Sequence, residues 1–264
     1  MKATRDDGAL LYASHALQPN SLGYCGPDEN RKILEALHES SVSEGLISTL
    51  TRFEAAYPFV KMIAESSGRK AFDRKVTEAY WIGNSLLEAV NPAEFYQFTK
   101  NVLGPSRRRA GKREGMTSAS SASVFKKFGE KARPHHTFYV MALHDNSQGS
   151  PEVERKILGL MDSCRVSWGK VLVAKKSTLV VERPSLEVSG GRLALTPPVR
   201  AEVRFDPAIP SFAGIAPGDH VSIHWNFASS RLTPTQLKGL EKYTGLAIDV
   251  ANSQQGKKSR PRPD

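Results

Sequence analysis

The chain has very little cysteine: two residues, Cys25 and Cys164, among 264. So few thiols exclude a disulfide-stapled scaffold and any four-cysteine zinc ribbon. Long apolar runs are missing too. No stretch approaches the roughly 20 residues needed to cross a bilayer, and the first residues, Met-Lys-Ala-Thr-Arg-Asp-Asp-Gly, lack the apolar segment of a secretory signal. A cytoplasmic location without membrane contact is therefore expected. There is no Cys-x-x-Cys, no His-Glu-x-x-His and no dinucleotide fingerprint. Ser189-Gly190-Gly191 reads as a turn, because no Lys-Ser helix start follows it. No internal repeat is visible.

Acidic residues are the minority, 27 against 37 lysines and arginines, for a formal charge of +10. Much of this excess is local. Arg107, Arg108, Arg109, Lys112 and Arg113 form one cluster, and Lys257, Lys258, Arg260 and Arg262 another. Both sit in Ser-, Gly- or Pro-rich surroundings that read as solvated linker and tail. The remaining composition, 39% hydrophobic, suffices for a real core.

The pattern along the chain predicts an α+β protein in two parts. Residues 1–27 read as irregular, punctuated by Pro19, Gly23, Gly26 and Pro27. Helical spacing then runs through residues 28–103: a cap at Asp28, a Ser41-Val-Ser-Glu44 capping box, a start or break at Pro58, a helix from Asp73 to Val90, and a restart at Asn91-Pro92. Residues 104–123 read as a flexible basic linker, and Val124 to Lys131 as a short helix. The mainly helical domain thus spans 1–131.

A second domain, 132–252, is expected to be a small β-barrel of the OB-like kind with a C-terminal helix, ahead of a disordered basic tail at 253–264. Strands are predicted at His135–Leu143, Arg165–Val173, Thr178–Arg183, Gly191–Leu195, Arg200–Phe205 and His220–Trp225, with a helix at Glu152–Cys164. Thr233-Pro-Thr-Gln236 combines a cap, an N1 proline and a capping-box glutamine, so it starts the last helix; Gly245 is its expected end.

Cys164 falls where a predicted helix meets a strand, and His224 on the strand His-Val-Ser-Ile-His-Trp. Barrel closure can bring such positions together. A thiolate and an imidazole form a good ligand pair for a soft or borderline metal; they are also a nucleophile and base, with Cys164 the catalytic residue. As a small hydrophobe, a lone cysteine also fits a core.

Two blocks carry a family resemblance. Cys164-Arg-Val-Ser-Trp-Gly169-Lys170-Val171 resembles the start of the HypC/HupF chaperones of nickel–iron hydrogenase maturation, and Pro217-Gly218-Asp219-His-Val221-Ser-Ile-His224-Trp-Asn-Phe227-Ala228 resembles their Gly-Asp-x-Val-x-x-His-x-Gly-Phe-Ala segment. The similarity covers about residues 164–245. Trp168 stands where the family has proline, Asn226 where it has glycine, and the cysteine is internal rather than N-terminal. The resemblance implies a HypC-like barrel in which Cys164 and His224 hold iron carrying cyanide and carbonyl ligands, Fe(CN)2CO. It also implies HypD-like maturation proteins or the hydrogenase large-subunit precursor as partners. The whole chain resembles an uncharacterised prokaryotic family associated with hydrogenase genes.

Further residues could complete a metal site. His135 and His136 follow Pro134; as strand neighbours they would face opposite ways, so only one would join. Cys25 sits in a glycine-containing loop suited to folding over a site. With Cys164 and His224 these would give four N/S ligands, enough for iron or, less favoured, zinc. Tyr80 and Trp81 are assigned to helix packing, and Gly83 to a close approach by another helix or a ligand. Two other functions remain open: a thiol- or metal-dependent enzyme, and a basic nucleic-acid-binding barrel. The latter is disfavoured, because the strands lack alternating exposed aromatic and basic residues.

Overall fold

The computed structural model describes residues 7–99, 131–143 and 150–255. The whole 104–123 linker with its basic cluster, the predicted Val124–Lys131 helix except its last residue, and the tail from 256 onward lie outside the described residues. The fold is α+β as expected: N-terminal helices, a closed five-stranded barrel and a C-terminal helix.

Helix α1 (Asp7–Ser21) occupies the segment expected to be irregular. Pro19 and the following glycines mislead there, because the proline lies only in the last turn. Ala9, Ala13 and Ala16, all buried, let α1 lie deep in the molecule. Helices α2 (Asn30–Glu39), α3 (Glu44–Thr51), α4 (Tyr57–Ser66) and α5 (Arg74–Trp81) follow. The α2 cap position is Glu29, not Asp28, and Ser43 rather than Ser41 caps α3 by accepting from Leu46 N. Asp73 caps α5 through Lys75 N. That helix ends at Trp81 instead of running on to Val90. The chain turns at Gly83 (φ +101), passes a 3-10 turn at Ser85–Glu88, and is helical again over 92–99.

The largest local correction is His135–Leu143. It forms a helix, α6 (His136–Leu143), not a strand. Phe138, Val140 and Met141 are buried and Tyr139 is half-buried, so neither period stands out in the sequence. Helix α7 (Pro151–Cys164) follows, capped by Ser150.

The barrel comprises β1 (Ser167–Ala174), β2 (Thr178–Arg183), β5 (Val199–Arg204), β6 (His220–His224) and β7 (Phe227–Leu232), in ring order β1-β2-β5-β7-β6. Strands β3 (Leu186–Ser189) and β4 (Arg192–Leu195) form a separate hairpin. Strand β7, absent from the sequence reading, closes the ring: antiparallel to β6 and parallel to β5 at Arg204–Phe227. Its buried residues include Ser229 and Ser230, which hide the apolar signal of a strand. Inside, Val171, Leu179, Val181, Val203, Val221 and Ile223 are all essentially inaccessible. A Cβ at Gly169 would meet Ile223 and Val181 at 3.0 Å, so this wall leaves little room for a larger residue.

Helix α8 (Pro234–Gln255) starts with the predicted box: Thr233 N donates to Gln236 Oε1 (3.0 Å) and Gln236 N to Thr233 Oγ1 (3.3 Å). It runs through Gly245, because Ala247, Ile248, Val250 and Ala251 continue its buried face. A Cβ at Gly239 would lie 2.3 Å from the Gly83 carbonyl, which explains the glycine pair where α8 crosses the end of α5. One hydrophobic core includes Tyr12 and Trp81 from the helices and Val221 from the barrel.

Candidate metal centre

Strand β6 decides what faces the site. Successive residues alternate: Val221 and Ile223 fill the barrel, while Ser222 and His224 turn outward under α1. All four are buried, since α1 covers the outer face of the barrel wall. The β6–β7 turn is Trp225-Asn226, with φ +53 and +56, the backbone of a tight two-residue hairpin. Trp225 N donates to the Ser163 carbonyl at 2.8 Å. That bond ties the hairpin to the last turn of α7, one residue from Cys164.

The end of α7 is itself anchored. Asp162 pairs with the fully buried Arg165 (2.7 Å) and with Arg183 (2.7 Å), and accepts from Leu186 N. Arg165 also donates to the Pro184 carbonyl at 2.8 Å. Burial lowers this guanidinium to about 10, while Asp162 opposes the shift and keeps it charged at neutral pH.

These ties bring His136, Cys164 and His224 together, with one donor atom of each within 4.8 Å of the others. Ligand bonds of about 2.0 Å to nitrogen and 2.3 Å to sulfur place tetrahedral donors roughly 3.3–3.8 Å apart. An ion would therefore draw these three inward by up to about 1 Å. His224 donates from Nδ1 to the His15 carbonyl at 2.7 Å; its buried Nε2 makes no hydrogen bond at normal geometry, although the Cys164 carbonyl lies near enough to favour a proton on the ring. An imidazole whose outer N–H is held by a backbone carbonyl while its other nitrogen is free has the usual arrangement of a metal ligand. In His136 both nitrogens are engaged. Nε2 donates to the Cys164 carbonyl (2.9 Å) and Nδ1 accepts from the Tyr80 hydroxyl (3.1 Å).

Burial sets the protonation of the group. It lowers His224 to about 4 and His136 well below the ordinary value, so both rings are neutral at pH 7. It pushes the partly buried Cys164 thiol up to about 12, and nearby Cys25 adds to the rise. Without a cation the sulfur therefore keeps its proton; a bound metal would replace it.

Of the five sequence candidates, Cys164, His224 and His136 converge. His135, one helical position from His136, instead stacks on Tyr243 with ring centroids 5.7 Å apart. Cys25 lies near Cys164 but outside the group of three. Its loop does fold over the site: Asn20 Nδ2 donates to the Cys25 carbonyl (2.9 Å), and Tyr24 stacks on Trp225 at 4.3 Å.

Three further residues surround the group: Tyr80 and Trp81, assigned to helix packing from the sequence, and His15, which the sequence reading missed. Trp81 packs between His136 (4.6 Å), His224 (5.6 Å) and His15 (5.4 Å, near-parallel). Tyr80 bonds His136. His15 donates from Nδ1 to the Leu11 carbonyl (2.9 Å) and accepts from Ser222 at Nε2 (3.1 Å). The helical spacing of Leu11, Tyr12, His15 and Ala16 was the available signal.

Fold and site together define an α+β barrel protein with a largely buried His/Cys/His group that could hold a metal ion. The chain belongs to a family of unknown function, DUF6390, whose model matches residues 4–258. No curated protein and no solved structure matches it. Among the described residues no helix is long and apolar enough to cross a membrane.

Proposed function

We propose that this protein holds one iron ion between Cys164 and His224, with His136 as third donor, and acts as a cytoplasmic factor in nickel–iron hydrogenase maturation. The observation that carries the reading is His224: a neutral, buried imidazole with one nitrogen fixed by a carbonyl and the other unpaired, beside a cysteine and a second histidine. A buried polar atom left without a partner costs free energy, which a ligand would return. The N/S donor set suits borderline metals, and zinc would also fit it.

Iron, its cyanide and carbonyl ligands, and partners of the HypD or large-subunit-precursor kind rest on the resemblance of the two sequence blocks. Cys164 would bind as the thiolate and His224 through Nε2. His136 would exchange one of its present hydrogen bonds for the ion. Trp81 and the Tyr24–Trp225 stack would keep water from the group.

A free thiol nucleophile is the weaker reading, because burial holds Cys164 protonated at neutral pH. Anaerobic purification with metal analysis and infrared spectroscopy is the test. About one iron per chain, with bands in the cyanide and carbonyl stretch region, is the expected result. A chain with no stoichiometric metal that takes up none when offered Fe(II) or Zn(II) contradicts it.

A further inference from the structure

Within an α-helix each residue donates its N–H to the carbonyl four positions back. Pro19 lies inside α1 and has no N–H to give to the carbonyl of His15. Its ring also crowds that carbonyl and tilts it away from the helix. The His15 oxygen is nevertheless bonded, since it accepts Nδ1–H of His224 at 2.7 Å. A buried carbonyl released by proline in one element has found its donor in the barrel.

We propose that Pro19 is a positioning residue for the metal centre. By leaving the His15 carbonyl to His224, it fixes that ring as the Nδ1–H tautomer and presents Nε2 as the lone-pair donor. The inference rests on the metal-binding reading of the site.

The same turn of α1 grips β6 a second time. The imidazole of His15 accepts from Ser222, two residues before His224 and on the same strand face. Trp81, stacked on His15 at 5.4 Å, holds that ring in place. Restoring an N–H at residue 19 would give the His15 carbonyl a donor along the helix axis. It would draw the C=O back into line with α1 and weaken its bond to His224.

Pro19→Ala in the full chain tests this. Long-range ¹H–¹⁵N NMR of the histidine rings in the metal-free protein reads the tautomer, and competition titration with Zn(II) reads the affinity. The wild type is expected to show His224 as Nδ1–H. The variant is expected to show a mixed tautomer and about 10-fold weaker zinc binding, while its thermal unfolding temperature stays level or rises, because α1 gains a hydrogen bond. A merely structural proline would not separate these signs. The inference is overturned if wild-type His224 is the Nε2–H tautomer, or if Pro19→Ala changes neither tautomer nor zinc affinity. A wild-type chain that takes up no metal contradicts the metal reading, and the ring NMR still decides the role of Pro19.

Discussion

Two faces of one strand behave in opposite ways. On the inner face of β6, Val221 and Ile223 join Val171, Leu179, Val181 and Val203 in a dry aliphatic plug. On the outer face, Ser222 and His224 meet α1, α5 and α6 in a seam that buries His15, His136, Tyr12, Tyr80 and Trp81. The one polar side chain beside Ile223 among the described residues of that face, Ser167, is satisfied by donating to the Ile223 carbonyl. The seam holds Tyr12 Oη, Trp81 Nε1 and His224 Nε2 without partners. Equal burial thus serves two ends: one face stabilises the barrel, and the other keeps reactive groups neutral and close.

Acid should break the seam first and with the largest effect. Burial lowers His15 to about 3, His135 and His224 to about 4, and His136 well below its ordinary value. Between pH 6.5 and 4 the unfolded chain takes up protons that these four folded rings refuse. Stability should therefore be level above pH 7 and fall as pH drops through that window. The slope should approach about 1.4 kcal/mol per pH unit for each ring. Urea unfolding at pH 7, 6 and 5 measures it, and equal midpoints would contradict burial of the neutral rings.

The inner face should respond to volume instead. Ile223→Ala should cost about 2–5 kcal/mol of stability by leaving a cavity, with metal affinity per folded molecule unchanged. Cys164→Ala should do the reverse, leaving the unfolding midpoint nearly in place while metal uptake is lost. Denaturant curves paired with metal titrations separate the two; parallel losses in both variants would erase the distinction between the faces.

The smallest effect expected is at Tyr80. Tyr80→Phe removes the hydroxyl that bonds His136 Nδ1 and should cost about 1 kcal/mol of stability. It should leave metal affinity level or slightly higher, since one nitrogen of His136 is freed. A large loss of affinity would show that the hydroxyl positions the ring.

Much of this was legible in the sequence, for physical reasons. Thr233-Pro-Thr-Gln236, Asp73 and the Gly/Pro turns are local signals, and the helix starts and strands they mark are present. The approach of Cys164 to His224 was expected from barrel closure, and the two do lie close, but on the outer wall, where the Trp225–Ser163 bond ties the β6–β7 turn to the end of α7. What stayed hidden depends on tertiary contact. Phe138, Val140 and Met141 of α6 are all buried and Tyr139 is half-buried, so no polar face marks the helical period, and His136 was placed on a strand. α1 carries a proline whose missing hydrogen bond is made up from the barrel, which no local rule shows. Trp81 reads as packing until the rings around it are seen to be histidines.

X-ray absorption at the metal edge of the loaded protein tests the central claim most directly. The account predicts one sulfur neighbour at about 2.3 Å with nitrogen neighbours at about 2.0 Å, and loss of the sulfur shell in Cys164→Ala. A first shell of oxygen and nitrogen alone, unchanged by that substitution, would contradict it.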